Sequence, residues 1–189
     1  PWMGEHYSHG WAHAMNTPFQ WDKKIASHLG GSRTGMVISW PARIKQTGQI
    51  RSQFAHITDI VPTILEAANI PQPKKVDGFE QTPIAGKSLV YSFDNANAPE
   101  THKTQYFEVI ANRGFYKDGW LASTTPKNLP WQGHPVPSED PVKDYKWELY
   151  DLTKDYSQAN DIAAQNPEKL KEMQKAFMEE AEKYKVFPF

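Results

Sequence analysis

Five residues, Met36-Val37-Ile38-Ser39-Trp40, form a short apolar run that stops at Pro41. Its length and its stop signal suit a strand buried on both faces better than a helix. Downstream, Ile57, Ile60, Val61, Ile64, Leu65 and Ala68 recur at helical spacing, so one face of that segment can pack on a sheet. Pro62 fixes where the helix begins. With Asp59 as N-cap it becomes the third helical residue, whose missing N–H has no intrahelical partner anyway. The helix is therefore drawn from about Ile60 to Ala68. A strand followed by a helix within ~30 residues is the local grammar of an α/β sheet.

The rest of the chain reads differently. Residues 1–35 hold His6, His9, His13 and His28 with the turn or helix-entry signal Asn16-Thr17-Pro18, and read as a long loop. A polar stretch, Lys45-Gln46-Thr47-Gly48-Gln49, crosses the surface, and 69–86, with Pro71, Pro73, Gly78 and Pro83, reads as an irregular connector. Segments 104–110, 115–117 and 120–124 are strand-like, joined by Asn112-Arg113-Gly114 and by Asp118-Gly119, both of which supply residues tolerant of positive φ. A Pro-rich loop over 126–141 leads to 147–152, a fourth strand of the same antiparallel meander. Asn166 as N-cap and Pro167 at the first helical position open a closing helix, whose stripe Leu170, Met173, Phe177, Ala181 and Tyr184 should lie on that sheet. The expected division is a domain end over 1–90 and a small α+β subdomain over 91–189.

Composition narrows the function. Twenty-one Lys and Arg stand against 22 Asp and Glu, a net charge of −1, so no basic field favours nucleic acid. Zero Cys removes disulfides, thiolate zinc sites and cysteine nucleophiles. No apolar run approaches the ~18–20 residues that span a bilayer, so no membrane partner is expected. The first residue is Pro1 and not Met, and the chain reads as an interior piece of a longer one.

Chemistry concentrates in Asn16 to Trp40. Gly30-Gly31 beside an apolar run allows the backbone to approach something closely, either another strand or a small anionic ligand. Lys24 lies six residues before Gly30 and Arg33 two after Gly31, so an anion at this turn would have two cations within reach. Read bare, the same features describe a solvated lysine and a simple turn.

These residues resemble a family. Lys24-x5-Gly30-Gly31-x-Arg33, the apolar run ending in Trp40-Pro41, His56-x-x-Asp59-x-x-Pro62-Thr63-x-Leu65 and Asn16-Thr17-Pro18-Phe19 are similar to the C-terminal half of sulfatases. So are Gly78-x-x-Gln81-x-Pro83-Ile84-x-Gly86-x-Ser88, Gln105-Tyr106-Phe107-Glu108, Trp147-Glu148-Leu149-Tyr150 and Asp155-x-Ser157-Gln158-Ala159-Asn160-Asp161, which look like the bacterial arylsulfatase branch. The resemblance implies the C-terminal part of an alkaline-phosphatase-like α/β sheet, followed by a small α+β subdomain with a four-stranded antiparallel sheet and a C-terminal helix. It implies hydrolysis of sulfate monoesters by a type I sulfatase, whose nucleophile is a formylglycine made from the Cys or Ser of Cys/Ser-x-Pro-x-Arg and whose metal is calcium. Ser39-Trp40-Pro41-Ala42-Arg43 has that spacing, but it closes the apolar run that the resemblance places after the glycine pair, so the resemblance does not assign it as the nucleophile. Formylglycine and calcium would both come from a missing N-terminal part, so this piece alone would be inactive and would expose an apolar face for that segment or an oligomer partner.

The family's lysine ahead of the glycine pair, which contacts the sulfate and the leaving oxygen, falls on Lys24, with Lys23 as the neighbouring alternative. His28 could line the same pocket as a substrate-binding residue, or could be a structural hydrogen-bonder. His56 with Asp59 reads as a base or metal pair, or more simply as a packed loop residue and a helix cap. Glu5, His6, His9 and His13 suggest a metal site only loosely. Trp2, Trp11 and Trp21 could wall an aryl group or pack a core. The rivals to a sulfatase are a phosphoester or phosphonate hydrolase of the same superfamily and a non-catalytic module that binds a sulfated ligand.

Overall fold

The computed structural model describes residues 8–126 and 140–186. In chain order the elements are helix α1 (His9–Asn16), the single turn α2 (Leu29–Ser32), a 3-10 turn (Ile57–Asp59) running into α3 (Ile60–Ala67), and the short strands β1 (Lys75–Val76) and β2 (Phe79–Glu80). A second 3-10 turn (Val90–Ser92) is followed by β3 (Thr104–Val109), β4 (Asn112–Lys117), β5 (Trp120–Thr124) and β6 (Trp147–Asp151). A third 3-10 turn (Ala163–Gln165) then leads into α4 (Pro167–Lys183). Two compact units result, one combining residues 1–35 with 104–189 and the other holding 36–103.

The first unit is built on an antiparallel sheet in the order β3-β4-β5-β6. The expected four-stranded meander is present, with one hairpin displaced. Asp118-Gly119 turns β4 into β5 as anticipated, with φ of 47° and 84°. Asn112-Arg113-Gly114, in contrast, is not a turn: Val109 pairs with Asn112, and Ile110 and Ala111 make the bend at φ 52° and 61°. Both central positions of this two-residue hairpin have positive φ, as a type I′ turn requires, and a β-branched residue adopts that at a cost. Flanking side chains hold it: Glu108 Oε1 accepts the Ala111 N–H at 2.7 Å, and Asn112 Nδ2 donates to the carbonyls of Val109 and Ile110. Because the left-handed region costs a non-glycine residue about 1–2 kcal/mol, Ile110→Gly in the complete protein should raise unfolding stability or leave it unchanged. A lower denaturation midpoint would mean that the isoleucine side chain contributes more by packing than its backbone loses.

Helix α4 covers this sheet. Met173, Phe177 and Ala181 are fully buried, and the Phe177 ring stacks on Tyr106 at 5.0 Å and meets Trp147 edge-on at 5.2 Å. The stripe ends earlier than its spacing suggested, since Tyr184 follows the last helical residue and is half exposed. Asn166 occupies the N-cap position, but its side chain donates to the Ile162 carbonyl and not into the first turn. Residues 9–16, read as loop, form α1, a helix with no buried residue.

In the second unit α3 starts at Ile60 as Pro62 required. Asp59, expected as a simple cap, is fully buried and more heavily used. Its carboxylate accepts from the backbone N–H of His56 at 2.8 Å, from that of Lys87 at 2.7 Å, and from His102 Nδ1 at 2.7 Å. His56 takes part in the same entry turn, its Nδ1 facing the Thr58 N–H and hydroxyl. The connector over 69–86 contains a small hairpin, Val76 opposite Phe79 across Asp77-Gly78.

Two expectations meet a common correction here. Met36–Trp40 carries no strand ladder, and Met36, Val37, Ile38 and Trp40 are 51%, 93%, 43% and 37% exposed. The α3 face that should lie on a sheet also faces outward, with Ile57 75% and Ile64 59% exposed. A central strand needs neighbours on both edges for its N–H and C=O groups. Among the described residues none pairs with this one, although its sequence has the composition of a buried strand.

Candidate active-site loop

Segment 16–35 is an irregular loop closed on itself by backbone contacts. Asn16 Nδ2 donates to the Gly30 carbonyl at 2.6 Å, and the Gly30 N–H donates to the Gln20 carbonyl at 3.0 Å. The glycine pair has a definite reason. A Cβ at Gly30 would overlap the carbonyls of Gln20 and Trp21, and one at Gly31 would overlap those of Asp22 and Ile25. Of the two readings of this pair, close approach to backbone or to an anion, the space is taken by the loop's own backbone. Lys24 lies inside the turn whose end carbonyls, Asp22 and Ile25, rest on Gly31, and the Ile25 N–H donates to the Asp22 carbonyl at 3.2 Å.

Lys24 and Lys23 are both exposed, whereas Ile25 beside them is fully buried. Lys24 differs from Lys23 in its backbone, which stands at φ 75°. A left-handed lysine persists only where its surroundings hold it. The anchor on one side is Ile25, and on the other the Gly31 contact. Among the described residues no carboxylate pairs with the Lys24 ammonium, which leaves it available to an outside anion.

Two buried side chains that sequence reading did not single out as functional, Glu148 on β6 and Gln158 in the irregular segment after it, hold this loop in place. Gln158 is fully buried at φ 60°; its Oε1 accepts the Leu29 N–H at 2.9 Å, its Nε2 donates to the Ser27 carbonyl and the Ser123 hydroxyl, and its own carbonyl accepts from Gln20 Nε2 at 2.6 Å. Glu148 meets His28, whose Nε2 lies 3.1 Å from Oε2 while its Nδ1 lies 2.9 Å from the Ser27 hydroxyl. The Tyr150 hydroxyl donates to the same carboxylate at 2.8 Å, and Thr125 donates to its other oxygen. Burial by itself would raise the Glu148 pKa, but hydrogen bonds from His28, Thr125 and Tyr150 outweigh it and hold the carboxyl down at about 2. Burial and the carboxylate beneath it push the Tyr150 phenol well above its ordinary value.

His28 thus sits 1% exposed with both ring nitrogens engaged, close to the Trp21 and Tyr150 rings. Its geometry is that of a brace beneath the lysine turn. His56 and Asp59 belong to the second unit, and burial followed by the nearby His102 lowers the His56 pKa. His9 lies 3.9 Å from Asp22, Trp11 is 70% exposed, and Trp2, Glu5 and His6 fall outside the described residues. A cavity of about 350 Å³ is lined by Trp120, Asp151, Lys154, Asp155, Asn160 and neighbours, none of them in the lysine loop. Among the described residues no group of three His, Cys, Asp or Glu could hold a metal ion.

The sulfatase family profile matches residues 4–70, which include the whole lysine loop. An uncharacterized sulfatase of Schizosaccharomyces pombe is 30% identical over 171 residues, an alignment that takes in 88% of this chain. Over these residues the chain is similar to sulfatases. It spans 28% of that relative's length. Solved structures share its fold. A protein from a study of glycosaminoglycan metabolism by Bacteroides thetaiotaomicron superposes with a TM-score of 0.59 at 17% identity, over 82% of this chain and 30% of its own. Ps i-CgsB does so with 0.62 at 17% identity, over 86% and 32%. BT4656, solved with its substrate D-glucosamine-2-N,6-O-disulfate, gives 0.50 at 21% identity, over 78% and 28%. The architecture of the segment is accordingly that of the alkaline-phosphatase-like fold, with the antiparallel sheet and closing helix at its end.

Proposed function

We propose that the complete protein is a sulfatase that hydrolyses sulfate monoesters, and that Lys24 is its sulfate-binding and leaving-group-stabilising cation on this segment. The observation that carries this reading is the geometry of the lysine turn: an ammonium that no described residue pairs, on a left-handed residue held by a glycine contact and a buried network. As an S–O bond breaks, negative charge grows on the ester oxygen. A fixed ammonium stabilises that charge more than the ground state, and the gain increases where water is excluded. His28, Glu148 and Gln158 act through the loop as positioning residues.

The sulfatase family supplies its nucleophile as formylglycine and its metal as calcium, and no residue of this chain is assigned to either. The exposed face of Ile57, Ile60, Val61 and Ile64, together with Met36–Trp40, is the surface on which the rest of the longer protein would pack. Aryl sulfates and sulfated sugars both fall within the proposed class. The sulfated glucosamine bound by BT4656 supports the latter.

Sulfate and phosphate monoesters have similar shapes, so the decisive test is paired turnover by the complete protein. An aryl sulfate, a glucosamine 6-O-sulfate and the matching aryl phosphate are compared at equal concentration. Sulfate release at a higher kcat/KM than phosphate release is the expected outcome. Preference for the phosphate would make this a phosphoester hydrolase, and binding of the sulfates without turnover would make it a binding module.

A further inference from the structure

Arg33 stands two residues beyond the glycine pair, on the opposite side of it from the Lys24 turn. Its guanidinium carbon lies 4.1 Å from the centre of the Tyr156 ring and 5.1 Å from that of Phe19. The two ring centres are themselves only 5.2 Å apart, with planes inclined by 47°. Three centres at such similar separations form a compact triangle. Both rings therefore back the same side of the cation, where an enclosing sandwich would need them about twice as far apart as a stacking distance of roughly 4 Å.

The platform is fixed and not incidental. Gln20 Nε2 donates to the Gln158 carbonyl at 2.6 Å, which ties the segment bearing Phe19 to the segment bearing Tyr156. The Arg33 N–H donates to the Leu29 carbonyl at 2.7 Å, which fixes the backbone under the side chain. Arg33 nonetheless remains exposed, and among the described residues no carboxylate or carbonyl takes its guanidinium donors. A guanidinium backed by two rings, whose donors no described residue takes, has lost rotamer freedom before any ligand arrives. That is the condition under which a guanidinium binds an oxyanion through two parallel hydrogen bonds.

We propose that Arg33, on its Phe19 and Tyr156 platform, is an oxyanion-binding site that takes a second anionic group of the substrate, a sulfate or a carboxylate distinct from the ester being cleaved. The preferred substrates are then sulfated sugars with at least two negative groups. The identity of the anion's source rests on the sulfatase reading; the capacity of Arg33 to hold an oxyanion does not.

The test uses the complete protein with glucosamine 2-N,6-O-disulfate, glucosamine 6-O-sulfate and sodium sulfate as probes. Arg33→Met should raise KM for the disulfated sugar about 10- to 100-fold, the loss of a bidentate charged contact, and leave KM for the monosulfated sugar within about twofold. Arg33→Lys should recover little, because a point charge neither stacks on the platform nor forks, and Tyr156→Leu should fall between. An equal loss on both sugars, or no loss on either, overturns the proposal. Independently of turnover, the Nε–Hε resonance of Arg33 should shift saturably with the disulfated sugar. If no sugar is hydrolysed the sulfatase reading fails, yet this resonance still decides the site: absence of a shift with both the disulfated sugar and sodium sulfate overturns it, and an equal shift with the two at the same concentration overturns only the assignment to a second group of the substrate.

Discussion

Replacing Lys24 with alanine is expected to lower kcat on a sulfate monoester by 10²- to 10³-fold, the usual loss when one preorganised group facing a developing oxyanion is removed. That corresponds to about 2.7–4 kcal/mol of barrier. The backbone at this position allows a sharper version of the experiment. Lys24 stands at φ 75°, where a non-glycine residue loses about 1–2 kcal/mol. Lys24→Gly removes the ammonium and relieves that strain, while the more flexible unfolded chain opposes it by about 0.5–1 kcal/mol. The glycine variant should therefore be as stable as the parent protein or slightly more so, and just as inactive as the alanine variant. Activity within about threefold of the parent in either variant would remove Lys24 from the mechanism and turn attention to Lys23. A loss of activity that tracks a loss of melting temperature would mean that the lysine serves the fold.

Residues whose partners lie nearby in sequence were legible, and residues whose partners lie far away were not. Asn166-Pro167 marked the start of α4, and Asp118-Gly119 marked a hairpin, because each signal acts on its own backbone. Pro62 set the start of α3 for the same reason. The Ile110-Ala111 bend escaped because its positive φ values are imposed by register and by Glu108 and Asn112, against the local preference of isoleucine. Gln158 gave no sign of its role either: its amide serves Leu29 and Ser27 across about 130 residues of chain, and a glutamine in a polar turn is ordinarily solvated. Met36–Trp40 shows the converse limit. Its composition describes a buried strand, whereas among the described residues no strand pairs with it and it stays exposed.

The same long-range network carries the second large effect, on stability. Glu148→Ala should destabilise the protein by about 3–5 kcal/mol, since it removes one member of a buried ionic and hydrogen-bonded cluster and leaves His28, Tyr150 and Thr125 without their acceptor. Its pH dependence identifies the cause. The carboxyl titrates at about 2 in the folded chain against 4.5 ordinarily. A folded-state pKa below the unfolded one gives stability that is complete above the unfolded value and is lost as pH falls toward the folded one. The contribution is roughly 3 kcal/mol at neutral pH and should fade between about pH 4.5 and 2. Glu148→Gln keeps the shape and one acceptor oxygen, so it should cost less than alanine at neutral pH while flattening the stability profile in that acid window. Urea midpoints of the complete protein and both variants at pH 7, 4 and 3 read this directly. If the glutamine variant keeps the full acid sensitivity of the parent, another carboxyl is responsible. If it also leaves kcat unchanged while the loop loosens, the brace beneath Lys24 has no part in positioning the amine.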